Sequence, residues 1–233
     1  MKRLPIARTV APVLVLLIPS CAFVENLISG NSGPADVNDL VEAVEKVNSE
    51  LDVSKQSMLA AVQALQKVTA PDFQGDAVTA HEELVTVIEA SEDQADDLRK
   101  SIERMQAEAE PVFDQWTKDL EAYSNPEMRQ RSQARLAASR ERYDAVVAAV
   151  TPVLVEYEAI NETLRDHLLF LSHDLNREAV ATIQEDVKKV SKEASDLDGA
   201  FNAGRAAARA YVDSSAQPKA APAQETAVPV KGS

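Results

Sequence analysis

Residues 36–68 read DVNDLVEAVEKVNSELDVSKQSMLAAVQALQKV, and the spacing of their apolar side chains decides the fold. Apolar or small residues recur there at alternating steps of three and four, which places them on one face of an α-helix. The residues on this face are Val37, Leu40, Val44, Val47, Leu51, Ser54, Met58, Ala61, Leu65 and Val68. The pattern predicts a long helix that packs against other helices, as in a coiled coil.

Three further stripes with the same rhythm follow along the chain. They run over Leu84–Tyr123, Leu136–Leu171 and Val180–Tyr211. Pro71 and Gly75 separate the first stripe from the second. The chain has only 6 glycines and 4% aromatic residues, a composition typical of long helices and unlike that of a sheet-rich fold.

The turns between the predicted helices have their own signals. Asn125 is placed to cap the third helix and Pro126 to begin it, because proline is favoured at the first helical position. Residues 173–176 are expected to turn the chain again before the fourth stripe. Pro111 and Pro152 lie inside the second and third stripes, where we expect kinks.

We therefore predict an all-α fold, an elongated antiparallel helical bundle or coiled coil of about four long helices over residues 36–213. Helices two and three would each be about 65–70 Å long at about 1.5 Å per residue. Two arrangements remain open. One is an up-down-up-down four-helix bundle, and the other is a long hairpin of helices two and three with the other two packed along part of it.

Opposite charges around the Asn125 turn suggest a register for that hairpin. In an antiparallel hairpin, the sequence numbers of two residues that face each other across the helices always add up to the same total. Four acidic and basic pairs satisfy this rule with one common sum: Glu121 with Arg129, Asp119 with Arg131, Glu110 with Arg140, and Glu108 with Arg142. Such exposed pairs select register more than they stabilise it.

Residues 1–20 resemble an export signal peptide. Lys2, Arg3 and Arg8 form a basic segment, and residues 10–18 form an apolar run that is too short to span a membrane. The end of this segment, Ile18-Pro19-Ser20-Cys21, resembles a bacterial lipobox, in which the cysteine receives acyl chains and becomes a membrane anchor. The alternative is ordinary signal cleavage after Ala22.

The remaining terminal segments follow from this interpretation. We expect a lipidated Cys21 with a flexible tether over residues 21–35, and a disordered Pro/Ala tail over residues 214–233. The protein would be exported to the cell envelope and face the periplasm. Ala22 stands where inner-membrane lipoproteins carry aspartate, which favours the outer membrane. With a single cysteine, the chain can form no internal disulfide.

The chain is strongly acidic. Its formal net charge is -14, and removal of the three basic signal residues leaves -17. Such a charge repels nucleic acid and anionic lipid headgroups, except where a local basic patch intervenes. We therefore expect no nucleic-acid partner and a membrane contact through the anchor at Cys21. A protein partner or self-association is the remaining expectation, because exposed three-four stripes are buried by oligomerisation.

No residue pattern indicates an enzyme, a cofactor or a metal centre. His167 and His173 are six residues apart, so they do not share a helix face, and although the predicted turn near His173 could bring them together, capping or core hydrogen bonding is favoured over a metal site. The acidic run over residues 89–97 is interpreted as a solvated helix face, with a bound divalent cation as the less favoured reading. Trp116, Tyr123 and Asn125, near the predicted hairpin turn, form the candidate contact site for a partner.

Four segments together resemble a bacterial family known as domain of unknown function 2959. They are residues 113–116 (FDQW), 123–125 (YSN), 140–143 (RERY) and 167–176 (HLLFLSHDLN). The resemblance covers about Asp36 to Val212. It departs from the family at Ser172 and Asp174, where lysine and asparagine are expected. The resemblance implies an exported, often lipid-anchored, helical protein with no established activity, and it carries over no catalytic residue.

Two functions are compatible with these features. The first is a membrane-tethered helical interaction or structural protein of the bacterial cell envelope. The alternative is a periplasmic binding module, in which the kinked bundle holds an apolar ligand or an unfolded client protein.

Overall fold

The computed structural model describes residues 34–173 and 176–215. The predicted export signal, Cys21 and most of the predicted tether lie outside these residues, as do Asp174, Leu175 and the chain from residue 216 onward. The predictions for those segments therefore stay predictions.

The described residues form helices and no strand. Four helices are long: α1 (Pro34–Val68), α2 (Ala77–Asp119), α3 (Pro126–His173) and α5 (Gln184–Ser215). The 3-10 turn Leu120–Ala122 ends α2, and the short helix α4 (Arg177–Thr182) precedes α5. The all-α prediction with four long helices is confirmed. The sequence analysis did not separate α4 from α5.

The four long helices form a ring in which each packs against two neighbours. α1 and α3 each lie between α2 and α5. Contacts across three of the seams are Lys67 Nζ with Glu83 (2.9 Å), Gln66 Nε2 with Ser191 Oγ (2.8 Å), and the rings of Tyr157 and Phe201 (centroids 5.8 Å apart). Residue numbers rise on one helix as they fall on the next, so neighbouring helices are antiparallel. The up-down-up-down arrangement is the one formed.

Side-chain caps begin three of the helices. Asp76 accepts a hydrogen bond from the backbone N–H of Thr79 at the start of α2. Asn125 accepts bonds from Glu127 N (2.9 Å) and Met128 N (3.3 Å), which confirms its predicted capping role. Asn176 accepts two backbone bonds in the same way at α4. These caps satisfy N–H groups that the helices themselves leave without partners.

The predicted stripes are the core. From Leu40 to Val68, every stripe residue of α1 is buried, and the stripes of α2, α3 and α5 are buried through the middle of the ring. The exceptions lie near the ends of the bundle: Val37, Trp116 and Val180 are half-buried, and Tyr123 is exposed. Pro111 and Pro152 lie within α2 and α3, and both helices continue past them, to Asp119 and His173.

The four charge pairs predicted between α2 and α3 do not occur among the ion pairs of the described residues, although Ser91 bonds to both Tyr157 and Asn161, whose numbers add with it to 248 and 252, close to the predicted sum. Arg140 lies 4.0 Å from Asp114 rather than beside Glu110, and Arg131 lies 3.9 Å from Glu127 on its own helix. Glu108 likewise pairs with Arg104 of its own helix. Long exposed side chains reach partners on their own helix as easily as across a seam, so they do not determine a register.

A matched pair of valines on α3 tests which face stabilises the bundle. Val153 is 0% exposed and Val155 is 60% exposed, so Val153→Ala removes core contacts and Val155→Ala does not. We expect Val153→Ala to lower the free energy of unfolding by about 1.5–3 kcal/mol. Val155→Ala should change it by no more than about 0.5 kcal/mol, mostly through helix propensity. Denaturant unfolding measures both, and equal losses would contradict this core.

Candidate functional site

The α2–α3 hairpin ends in an exposed tip, defined here as residues 117–133. Every residue from Glu121 to Arg131 is exposed, and Tyr123 and Met128 place apolar surface in solvent at 40% and 45% exposure. The first turn of α1 and the last turn of α5 meet the hairpin below this tip, beside residues 112–116 and 134–142. Among the described residues, the tip therefore extends past the ends of α1 and α5.

A groove of about 640 Å³ lies where those helix ends meet the hairpin, and we call it the Arg135–Arg142 groove. All four long helices contribute to it. Its lining residues are Val37, Val112, Trp116, Ala134, Arg135, Ala138, Ser139, Arg142, Tyr211, Ser214 and Ser215. The lining combines apolar side chains with two guanidinium groups and several hydroxyls, and no lining residue is acidic.

The two arginines of the groove are not used in ion pairs with the described residues. Within that part of the chain, salt bridges within 4.0 Å engage six other arginines: Arg99, Arg104, Arg131, Arg140, Arg165 and Arg205. Arg142 Nε is also buried and has no hydrogen-bond partner among the described residues. A buried N–H without a partner is costly, so an acceptor that reached this atom would be bound favourably.

Three aromatic rings pack against one another at tilted and edge-on angles beside the groove, and one of them, Tyr211, lines it. The Phe113 and Tyr143 centroids are 5.5 Å apart, and those of Tyr143 and Tyr211 are 6.2 Å apart. Burial raises the pKa of Tyr143 to about 12. Burial also raises the pKa of Tyr211, although hydrogen bonds with Ser139 and Ser215 and the Arg142 charge partly lower it. Both phenols are therefore neutral near pH 7, and the Tyr211 hydroxyl belongs to the polar side of the groove.

Trp116 connects α2 to α3 at the rim of the groove. Its indole Nε1–H donates to Ser132 Oγ at 2.9 Å, and its ring is half-buried. Of the three candidate contact residues from the sequence, Trp116 thus lines the groove, whereas Tyr123 and Asn125 belong to the tip. Asn125 uses its side-chain oxygen to cap α3. That oxygen is committed to the fold, so Tyr123 is the member of the set whose surface is free.

A buried polar cluster crosses the middle of the bundle between α2 and α3. The Tyr157 hydroxyl donates to Ser91 O (2.7 Å), Asn161 Nδ2 donates to the same carbonyl (3.1 Å), and Ser91 Oγ donates to Asn161 Oδ1 (2.7 Å). Burial raises the pKa of Tyr157 above its usual range. The three residues supply one another's hydrogen-bond partners, so the cluster needs no ligand. It is a structural element.

A second, smaller cavity of about 390 Å³ lies at the opposite end of the bundle, where the α1–α2 loop meets α4. It is lined mainly by apolar groups: Val68, Ala70, Pro71, Phe73, Ala77, Val180 and Ala181, together with Asn176, Arg177 and Gln184. A Cβ at Gly75 would stand 2.6 Å from the Phe73 ring, so glycine there leaves room for this aromatic wall. Val78, near the start of α2, and Leu169 and Phe170, near the end of α3, are exposed apolar residues.

The acidic face of α2 is occupied by arginines of the protein itself. Arg165 binds Glu92 through two nitrogens, and Arg99 bridges Asp96 and Glu158.

His167 Nδ1 lies 2.6 Å from its own helix's Thr163 carbonyl. Within residues 34–173 and 176–215, no group of three His, Cys, Asp or Glu side chains is arranged to hold a metal ion. Over the same residues, no helix has the length and apolarity needed to cross a bilayer.

The sequence analysis missed Arg135 and Arg142 as site residues. A signal for them exists in the sequence: Arg131, Arg135 and Arg142 are separated by four and seven residues, so they lie along one face of α3. The first 17 residues of α3 hold five arginines and two glutamates, in a chain with 38 acidic and 24 basic residues. The convergence of the ends of α1 and α5 on that face was not readable from the sequence.

Fold and site together define a four-helix bundle protein with an exposed hairpin tip and an arginine-lined groove beneath it. The chain belongs to the family described as Protein of unknown function (DUF2959), whose model matches residues 31–214. This confirms the family that the four sequence segments indicated. No curated protein and no solved structure matches the chain.

Proposed function

We propose that this protein is a membrane-tethered interaction or structural protein of the bacterial cell envelope, anchored by acyl chains on Cys21 and facing the periplasm. The observation that carries the interaction role is the hairpin tip. An uninterrupted run of exposed residues that includes Tyr123 and Met128 contributes nothing to the core. Exposed aromatic and methionine side chains are enriched at protein interfaces, which supports a docking role for the tip.

The tether is supported by the amino-terminal sequence. A basic segment, a short apolar run and the Ile18–Cys21 motif precede a folded bundle that begins at Pro34. Several acyl chains on one cysteine would hold such a bundle at a bilayer almost irreversibly, at about 0.8 kcal/mol per buried methylene. The segment between Cys21 and Pro34 can extend at most about 45 Å, at about 3.5 Å per residue.

Substitution of Cys21 tests the tether. We expect the parent chain to incorporate labelled fatty acid in cells and to sediment with membranes, and Cys21→Ser to lose the label completely. Ser20→Ala keeps a small residue before the cysteine and should behave as the parent, so it serves as the matched control. A parent without label, or a Cys21→Ser chain labelled as strongly as the parent, would show that Cys21 is not the anchor.

Site-specific photocrosslinking in cells tests the interaction role. A photoreactive residue at position 123, in the tip, should form protein adducts at least about fivefold more abundant than one at position 151. Thr151 is an exposed residue in the middle of α3 and provides the control. Adducts with a second copy would assign the tip to self-association, and adducts with another envelope protein would assign it to a partner. Equal yields at both positions would reject the docking role.

A second candidate function is a periplasmic module that binds apolar ligands or unfolded clients. The apolar cavity between the α1–α2 loop and α4, with Val78, Leu169 and Phe170 exposed nearby, favours it. Burial of apolar surface would drive such binding.

Binding of a hydrophobic dye, followed by its fluorescence, distinguishes the binding-module function from the interaction function. Ala181→Glu places a charge at the cavity wall and should reduce dye fluorescence several-fold. Ala203→Glu introduces the same charge at an exposed position of α5 and should not. If the parent takes up no dye and does not slow the aggregation of a denaturing protein, the binding-module function fails.

A further inference from the structure

The Arg135–Arg142 groove is a positively charged site on an acidic protein. Residues 112–142, which supply most of its walls, hold six basic and five acidic residues, whereas the whole chain has a net charge of -14. The acidic residues of this segment do not line the groove. The charge of the lining residues therefore comes from Arg135 and Arg142, and it favours an anion locally.

The Arg142 guanidinium is placed to bind an oxyanion. Its Nε is buried and without a partner among the described residues, while its side chain lines the groove. Arginine commonly binds phosphate or carboxylate through two parallel N–H groups, and such charge-assisted bonds are about twice as strong as neutral ones. Arg135 lines the same groove from one face of α3, about two helical turns away. Two unpaired guanidinium groups can share one phosphate.

Hydroxyl groups complete the polar side. Ser139 is buried in α3, Ser214 and Ser215 end α5, and the hydroxyls of Ser139 and Ser215 are close enough to the Tyr211 phenol to lower its pKa. Ser214 Oγ donates to the Tyr211 carbonyl at 2.8 Å. Hydroxyls donate readily to phosphate oxygens and also accept from glycerol hydroxyls.

The apolar residues of the lining determine which phosphate compound fits. Val37, Val112 and Trp116, with the small residues Ala134 and Ala138, give the groove apolar surface that an inorganic ion would not use. An amphiphile that carries a phosphate next to a glycerol ester would contact both the charged and the apolar groups. Tryptophan and arginine are typical of surfaces that meet lipid headgroups, where one end of the side chain is apolar and the other is polar.

We propose that the Arg135–Arg142 groove binds the headgroup of an anionic phospholipid. Arg135 and Arg142 hold its phosphate, and Trp116 and Val112 contact its glycerol and first acyl carbons. The choice of a lipid over a free phosphate compound rests partly on the proposed membrane tether, because Val37, in the first turn of α1, lines the groove close to the residue where the tether would end. The groove would then add a headgroup-specific contact to the non-specific acyl anchor.

The single tryptophan of the chain makes the site measurable. Trp116 lines the groove, so intrinsic fluorescence reports on its occupant. The full chain carrying Cys21→Ser is titrated with dihexanoyl phosphatidylglycerol below its micelle concentration, so that acyl chains on the protein do not contribute. Calorimetry provides a second readout. This titration does not depend on whether Cys21 is acylated in cells, so its failure is distinguishable from failure of the tether.

We expect saturable binding of dihexanoyl phosphatidylglycerol and at least about tenfold weaker binding of the phosphatidylcholine analogue. The variant Arg135→Gln/Arg142→Gln should bind at least about tenfold more weakly than the parent, the loss expected for charge-assisted bonds. The control Arg129→Gln/Arg209→Gln removes the same charge from exposed positions outside the groove and should bind within about twofold of the parent. Arg135→Gln alone changes an exposed side chain and should give an intermediate loss without affecting the unfolding midpoint.

Four results would overturn the proposal. Absence of saturable binding would remove the site. Equal losses of affinity in the groove variant and the control variant would show that binding depends only on net charge. Equal affinity for phosphatidylcholine would contradict the anion selectivity. Inorganic phosphate or glycerol phosphate binding as tightly as the lipid would reassign the groove to a soluble phosphate compound.

Discussion

Exclusion of water from four apolar stripes is the constraint on which this structure depends. Each long helix carries its apolar residues on one face, and a helix on its own cannot remove that face from water. Burial of one large apolar side chain contributes about 1.5–3 kcal/mol, and the ring gives every stripe two neighbours. The order of the helices around the ring then follows from short connections, which require consecutive helices to be antiparallel neighbours. The caps at Asp76, Asn125 and Asn176 specify where those connections are made.

Apolar stripes alone do not determine how far one helix is displaced along the next. A displacement of seven residues would again place apolar residues against apolar residues. The buried cluster of Ser91, Tyr157 and Asn161 removes this ambiguity, because a displaced helix would leave these polar groups in the core without partners. Each unsatisfied group costs about 1–3 kcal/mol. The charges on the outer faces have no comparable effect, since they find new partners in water or on their own helix.

The fold was predictable because helical periodicity is a local property of the sequence. The four long helices, the turn at Asn125 and the buried stripes all follow from spacing and capping preferences. The break between α4 and α5 was not visible, since Val180 and Ile183 continue the apolar rhythm through it. The candidate site was predictable only in part. Trp116 and Tyr123 were identified from their position near the turn, but the groove exists because residues far apart in sequence, such as Val37 and Tyr211, meet there.

The hairpin tip contributes less to the stability of the fold than the rest of the described chain does. Few apolar residues are buried there, and Leu120 is the principal one, so opening of the tip would leave the ring of four stripes intact. Apart from the cap residue Asn125, substitutions between Glu121 and Arg131 therefore act on a surface that the bundle does not need in order to fold. A change in what these side chains contact therefore need not lower the stability of the bundle that holds them.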